Sequence, residues 1–257
     1  MRILWLCLIG FLSWLVATVV LFPAAPVVDK IRPQLGPVAL EGVNGKLYNG
    51  VIDRVRSTDD LLPLEFRNVA WTLAPSTLLS GGAGANLQFD GYGGGGTGQV
   101  LSRWNGDIVV RDFDFTAQAK ALEPLLPVPI ASFAGELSGH FDTVALANNV
   151  LKSMNGELTW DNAALERPVP TALGKVDIVI RPENEQSHIV TLSAVGGDVT
   201  MDGSVSIALN GDFSADVLFT PSADAPPAVV NGLRQMGRAD SSGRVRFQRQ
   251  GNVNRLM

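Results

Sequence analysis

The sequence predicts a mainly β protein: one N-terminal transmembrane helix, then an antiparallel, curved or sandwich-like β-sheet body with one or two short helices. Three observations predict it. Ile3 to Phe22 is an apolar run without a charged side chain, and about 20 helical residues at 1.5 Å rise span the hydrocarbon core of a bilayer. The remainder holds no second such run, and the chain as a whole is rich in glycine and proline (27 and 15 residues) and only 18% charged, a composition of short strands and tight turns. Its clearest local pattern, Val199 to Phe219, alternates apolar and polar residues on both sides of Asn210-Gly211, the strongest short-range hairpin signal.

The expected organisation is therefore an anchor over 1–22, a stalk over 23–37 and a β-rich domain over 38–257. The apolar run ends in Leu21-Phe22-Pro23-Ala24-Ala25-Pro26, where bulky residues and prolines crowd the small-residue positions a signal peptidase needs. The reading is an uncleaved anchor, with a secretory signal peptide as the competing one. Arg2 before the run and Asp29, Lys30 and Arg32 after it nearly balance the positive-inside count, so the low charge and β pattern of the body point instead to its export. Pro23, Pro26, Pro33 and Pro37 predict an extended stalk.

Along the body, Gly42-Val43-Asn44-Gly45-Lys46-Leu47-Tyr48-Asn49-Gly50 reads as a turn entering a strand. Leu64 and Phe66 alternate on one parity, and Val69, Trp71 and Leu73 on the other. A bulge near Arg67-Asn68 follows. Ala74 to Gly81 fits one helical turn closed by its glycine. Gly91 to Gly98 contains a Gly-x-Gly-x-x-Gly spacing, but too few residues follow for the helix a dinucleotide site requires; the expectation is a flexible inter-strand loop. Ile108 to Ala117 is a strand with Asp112 and Asp114 on one face and Phe113 and Phe115 on the other.

Pro124 to Pro129 marks a break, with 38–123 and 130–257 as candidate halves. A loose Gly-x-Leu unit recurs at Gly45, Gly135 and Gly156, as if similar strands lay side by side. Asp224-Ala225-Pro226-Pro227 is expected to cap a short helix bearing Val229, Val230, Leu233 and Met236 on one face and ending at Gly237. Gly243 to Arg249 closes the chain as a strand whose Arg244, Arg246 and Gln248 would guard a free sheet edge and form a docking edge.

Composition excludes several functions. A net charge of −5 gives no basic footprint for nucleic acid. The one cysteine, Cys7, lies in the anchor, leaving the body without disulfide, thiolate or zinc-thiolate chemistry. Asp112 with Asp114 could act as acid and base or hold a metal, but neither histidine, His140 or His188, adjoins them in sequence, and neither lies in a recognisable triad. No catalytic, metal or cofactor site is expected, so an anchored hydrolase is the weakest functional reading.

The order of anchor, proline-bearing stalk, Gly42-x-x-Gly45-x-Leu47-Tyr48-x-Gly50, a strand with Trp71 leading into Ala74-Pro75-Ser76-Thr77-Leu78-Leu79, and Pro221-x-Ala223-Asp224-Ala225-Pro226-Pro227 before a terminal strand resembles the type II secretion system protein N family. The likeness covers nearly the whole chain. Tyr48 stands where tryptophan is commoner in that family, a conservative departure. The resemblance implies a single-pass protein of the Gram-negative inner membrane with a periplasmic body. It further implies an accessory, non-enzymatic part of the machinery that exports folded proteins, with partners in the inner-membrane platform or pseudopilus. The alternative is a lipid-binding or lipid-transfer groove of the AsmA and TamB type, whose members also use Gly-x-Leu strands; Val199 to Phe219 would line it.

Overall fold

A computed structural model describes residues 2–34, 36–58, 63–125, 131–147, 150–184 and 186–252, without the side chains at 2–4, 8, 12, 15, 16, 19, 31, 34, 79 and 80. Helix α1 (Arg2–Leu21) is 20 residues long. On the described side chains alone, no helix is long and apolar enough to cross a membrane. The expected stalk is not extended throughout: Ala25–Ile31 forms α2, with proline in its first turn, where the missing N–H costs nothing.

Among the described residues the body is one 13-stranded antiparallel sheet in strict sequence order, not two packed sheets, so the sandwich-like alternative does not hold. Its strands are β1 (Val38–Gly45), β2 (Asn49–Ser57), β3 (Glu65–Ala74), β4 (Gly82–Gly91), β5 (Gly94–Arg103), β6 (Ile108–Gln118), β7 (Ser132–Ala147), β8 (Val150–Arg167), β9 (Thr171–Asn184), β10 (Ser187–Gly196), β11 (Val199–Ala208), β12 (Asp212–Pro221) and β13 (Val245–Asn252). The candidate halves are joined by the β6–β7 ladder, which pairs Ile108 with Leu146 and Gln118 with Glu136. Residues 126–130 of the proline break lie outside the described residues.

Register gives the sheet two chemically distinct faces, because side chains alternate with period two. One row of directly opposed residues crosses every strand: Glu41, Arg54, Arg67, Asp90, Gly95, Thr116, Ser138, Thr159, Asp177, Ser193, Asp202, Leu218 and Arg246. Leu218 is its one large apolar member. On the other face, Leu73, Ala85, Val100, Val110, Val144 and Met154 align across β3 to β8. Leu137, Trp160, Val176, Ala194, Met201, Phe219 and Val245 align across β7 to β13.

Of the three Gly-x-Leu glycines only Gly156 meets a phenyl ring, on this apolar face, whereas Gly45 and Gly135 approach the backbone of the neighbouring strand. Phenyl rings lie across glycines of the neighbouring strand: a Cβ at Gly96 would stand 2.6 Å from Phe89, one at Gly98 2.9 Å from Phe113, and those at Gly139 and Gly156 would collide with Phe115 and Phe141. The glycines let the rings lie flat in a stripe, Phe89 to Phe113 at 6.0 Å and Phe115 to Phe141 at 6.1 Å between centroids. This also corrects the expected loop at 91–98. Only Tyr92-Gly93 turns the chain, and Gly94 to Gly98 belong to β5.

Full burial is sparse and falls at single sites such as Leu101 and Val109 and in small clusters. After the one-turn α3 (Ala119–Leu122), the last helix is α4 (Pro227–Met236), and Val199, Val229, Leu233 and Val245 pack where it lies on the apolar face of β11 to β13. The helix falls where expected and its N-cap, Pro226, lies within the Asp224-Ala225-Pro226-Pro227 segment, although no side chain caps it; Met236 is 48% exposed. The 3-10 turn Pro75–Ser80 ends at Gly81 with φ +85 and packs Thr77 on Gly84. The bulge expected near Arg67-Asn68 is present, with Asn68 at φ +49 and a register shift between Arg67 and Ala70. In the β11–β12 hairpin the pairing is as expected from Val199 to Phe219, but only Gly211, at φ +89, is left-handed. Gly211 N–H donates to Ala208 O at 2.9 Å, a geometry for a longer loop than the two-residue turn.

Candidate functional site

The glycine motif and Trp71 come together as one unit, where the N-terminal segment meets the sheet. Gly45 pairs with Gly50 across the β1–β2 hairpin, and Lys46 N–H donates to Asn49 O at 2.8 Å. Gly42 and Gly45 have φ of +68 and +98, a region that L side chains avoid. The ring of Trp71 lies on Gly50, where any Cβ would collide with it, and its Nε1 donates to Leu47 O at 3.1 Å. Leu73 N–H donates to Tyr48 O at 2.8 Å. Thus β3 holds the turn from one side.

On its other side the turn holds the chain leaving α1. Leu47 N–H donates to Phe22 O at 2.9 Å, and Ala24 N–H donates to Gly45 O at 3.0 Å, around a bridge between Pro23 and Lys46. Ala24 is completely buried. Further along, Arg32 Nη2 donates to Leu40 O of β1 at 3.2 Å and pairs with Asp29. The outer edge of β1 is thus partly occupied by the segment that joins it to the helix. Two backbone hydrogen bonds are worth about 1–3 kcal/mol together, enough to orient this junction.

The expected docking edge is at the far side of the sheet. β13 pairs with β12 on one side, and among the described residues its only other bridge is Val245 with Ala239. Arg244 is not in the strand. It closes a turn on Asp240, which accepts its Nε at 2.8 Å and its backbone N–H at 2.9 Å; the Arg244 amide and side chain hold that carboxyl below the usual range. Arg246 grips Asp216 of β12 with Nε on Oδ1 at 2.7 Å and Nη2 on Oδ2, and Gln248 adds a third bond at 3.0 Å. These donors lower the Asp216 carboxyl to about 2. Arg246 and Gln248 are therefore held within the polar face, leaving the β13 backbone as what the edge presents.

The two aspartates of β6 are separated. Asp112 sits in a bulge at φ +46, lining a cavity of about 410 Å³. Asp114 lines another, of about 620 Å³, and bonds His140 Nδ1 of β7 at 2.7 Å; Asp142 lies 3.4 Å from Nε2. The Asp114 bond raises the His140 pKa. His188 is buried and its Nε2 accepts Met154 N–H at 2.9 Å, which requires the neutral ring, and desolvation lowers its pKa. Among the described residues no group of three or more His, Cys, Asp or Glu could hold a metal. The cross-strand Asp114–His140 pair and the Phe-over-Gly stripe were missed from sequence. Of the recurring Gly-x-Leu units only the one at Gly156 belongs to the stripe.

These features define a class: a one-layer β-meander tied through one edge to an apolar N-terminal helix. The family model for the type II secretion system, protein N, matches residues 36–248, which takes in the turn, Trp71 and most of the sheet; the chain belongs to this family, and the family ties it to type II protein secretion. A type II secretion system protein N from Aeromonas hydrophila is 27% identical over 256 residues, covering 96% of each chain. No solved structure matches.

Proposed function

We propose that the protein is a non-enzymatic, accessory component of the type II secretion machinery, held in the Gram-negative inner membrane by α1 with its sheet in the periplasm. There it supports export of folded proteins by docking platform or pseudopilus components. The observation that carries this reading is the junction at Phe22–Ala24, where Leu47 and Gly45 bind the backbone immediately after the helix. Such a connection transmits the position of an anchor to a body. The helix itself supports the anchor: Ile3 to Phe22 is uncharged in sequence, and Trp5, Leu6, Ile9, Phe11, Trp14 and Leu21 are all more than half exposed. Leaving so many large apolar side chains in water costs on the order of 10 kcal/mol, and a bilayer removes that cost.

An alkaline phosphatase fusion to the C-terminus tests the topology: active enzyme in membranes that resist carbonate extraction is expected, and an inactive or extractable fusion overturns it. Deletion of the chain is expected to reduce export of type II substrates. Unchanged export, together with no crosslink to the machinery, would sink the functional reading.

A further inference from the structure

We propose that the open apolar face of the sheet holds the acyl chains of a membrane phospholipid. The protein exposes 16198 Å², where a compact monomer of its mass exposes about 10,900 Å². A single-layer sheet leaves one apolar face without a covering layer, and α1 adds its own bare surface. Between β4 and β7 that face forms a cavity of about 270 Å³ lined by Leu87, Phe89, Val100, Val110, Phe113 and Val144, with Gly98 at its floor.

The chemistry of the face selects the occupant. A protein interface carries roughly one hydrogen bond per 100–200 Å², and the lining side chains of this cavity offer neither donor nor acceptor. Acyl chains need none. The face is also continuous with the helix junction: Val43, Ile52 and Val69 are aligned on it beside the turn that binds Phe22 and Ala24. At the diagonally opposite corner α4 covers it with Val229 and Leu233. The surface is thus open toward the helix exit and closed beyond β11, a holder for lipid rather than a through-passage.

The test uses the full chain in nanodiscs of phosphatidylethanolamine and phosphatidylglycerol carrying ³²P in their headgroups, with a benzophenone side chain at one position at a time. Irradiation at Val110 or Val144 is expected to give ³²P-labelled protein, and at Thr97 or Gln88, exposed on the polar face, none. Val100→Lys is expected to abolish the adduct from Val144. A circular dichroism spectrum matching that of the unsubstituted chain shows that this variant folds. Equal labelling from both faces, a protein-protein adduct from Val110, or no adduct from either apolar site overturns the proposal. Release of the chain from the nanodisc would instead break the anchor reading, so the two failures are distinguishable.

Discussion

The first and last strands of this sheet are both edges, and they are finished in opposite ways. The outer side of β1 receives the chain coming from α1, through Ala24 on Gly45, Phe22 on Leu47 and Arg32 on Leu40. Among the described residues the outer side of β13 receives one bridge at Val245, while Arg246 and Gln248 turn back onto Asp216. An exposed edge is a template for another strand. The contrast teaches that the motif glycines and Trp71 hold the segment leaving α1 against the sheet, while among the described residues the opposite edge is left largely unpaired.

The largest expected effect breaks the contrast at its attached end. Trp71→Ala removes the ring over Gly50 and the bond to Leu47 O, and is expected to destabilise the fold by about 3 kcal/mol. Denaturation of the detergent-solubilised protein measures it, with loss of amide protection at Leu47 and Ala24. Gly50→Val should do the same by overpacking, at about 2–3 kcal/mol.

Next comes the far end. Leu233→Ala is expected to cost about 2 kcal/mol, and hydrogen exchange should show the loss confined to α4 and β11 to β13, with the β1–β3 junction unchanged. Equal loosening at both ends would show that the edges are not separately supported.

Smaller effects sharpen the picture through pH. Arg246→Ala should return the Asp216 carboxyl from about 2 toward 3.8, read by carbon NMR. Because the folded value is depressed, this pair's stabilisation is present above 3.8 and lost as pH falls toward about 2; the variant should lack that acid-side loss. On the polar face, Asp114→Asn should lower the raised His140 pKa toward 6.5. The stabilisation from this pair is complete below 6.5 and fades as pH rises through the raised folded value, so the substitution flattens the neutral-pH slope. His188 acts with the opposite sign: its lowered pKa makes stability fall as pH drops below 6.5.

Much of this was legible in the sequence because local periodicity carries it. The β11–β12 register, the bulge at Arg67-Asn68, the 3-10 turn at Pro75–Ser80 and the helix around Val229 and Leu233 all follow from patterns within a few residues. The motif itself was legible, though not its task, since Phe22 lies more than twenty residues before Leu47. What stayed hidden depends on strand neighbours. Gly94 to Gly98 look like a loop until Phe89 is seen to fill the space above Gly96 and Phe113 that above Gly98. Arg246 looks like a free edge charge until Asp216 is placed opposite. The stalk prolines suggested extension, yet Pro26 opens α2 because a first helical turn tolerates it.

The most direct test of the docking claim is photocrosslinking in cells with an active type II machine, from Gln248 and Gln250 in β13 and, for comparison, from Glu41 and Asn44 in the edge strand β1. Adducts to secretion-machinery proteins from β13 but not from β1 are the expected result. Adducts from the β1 side alone, or none from either edge, would contradict the account.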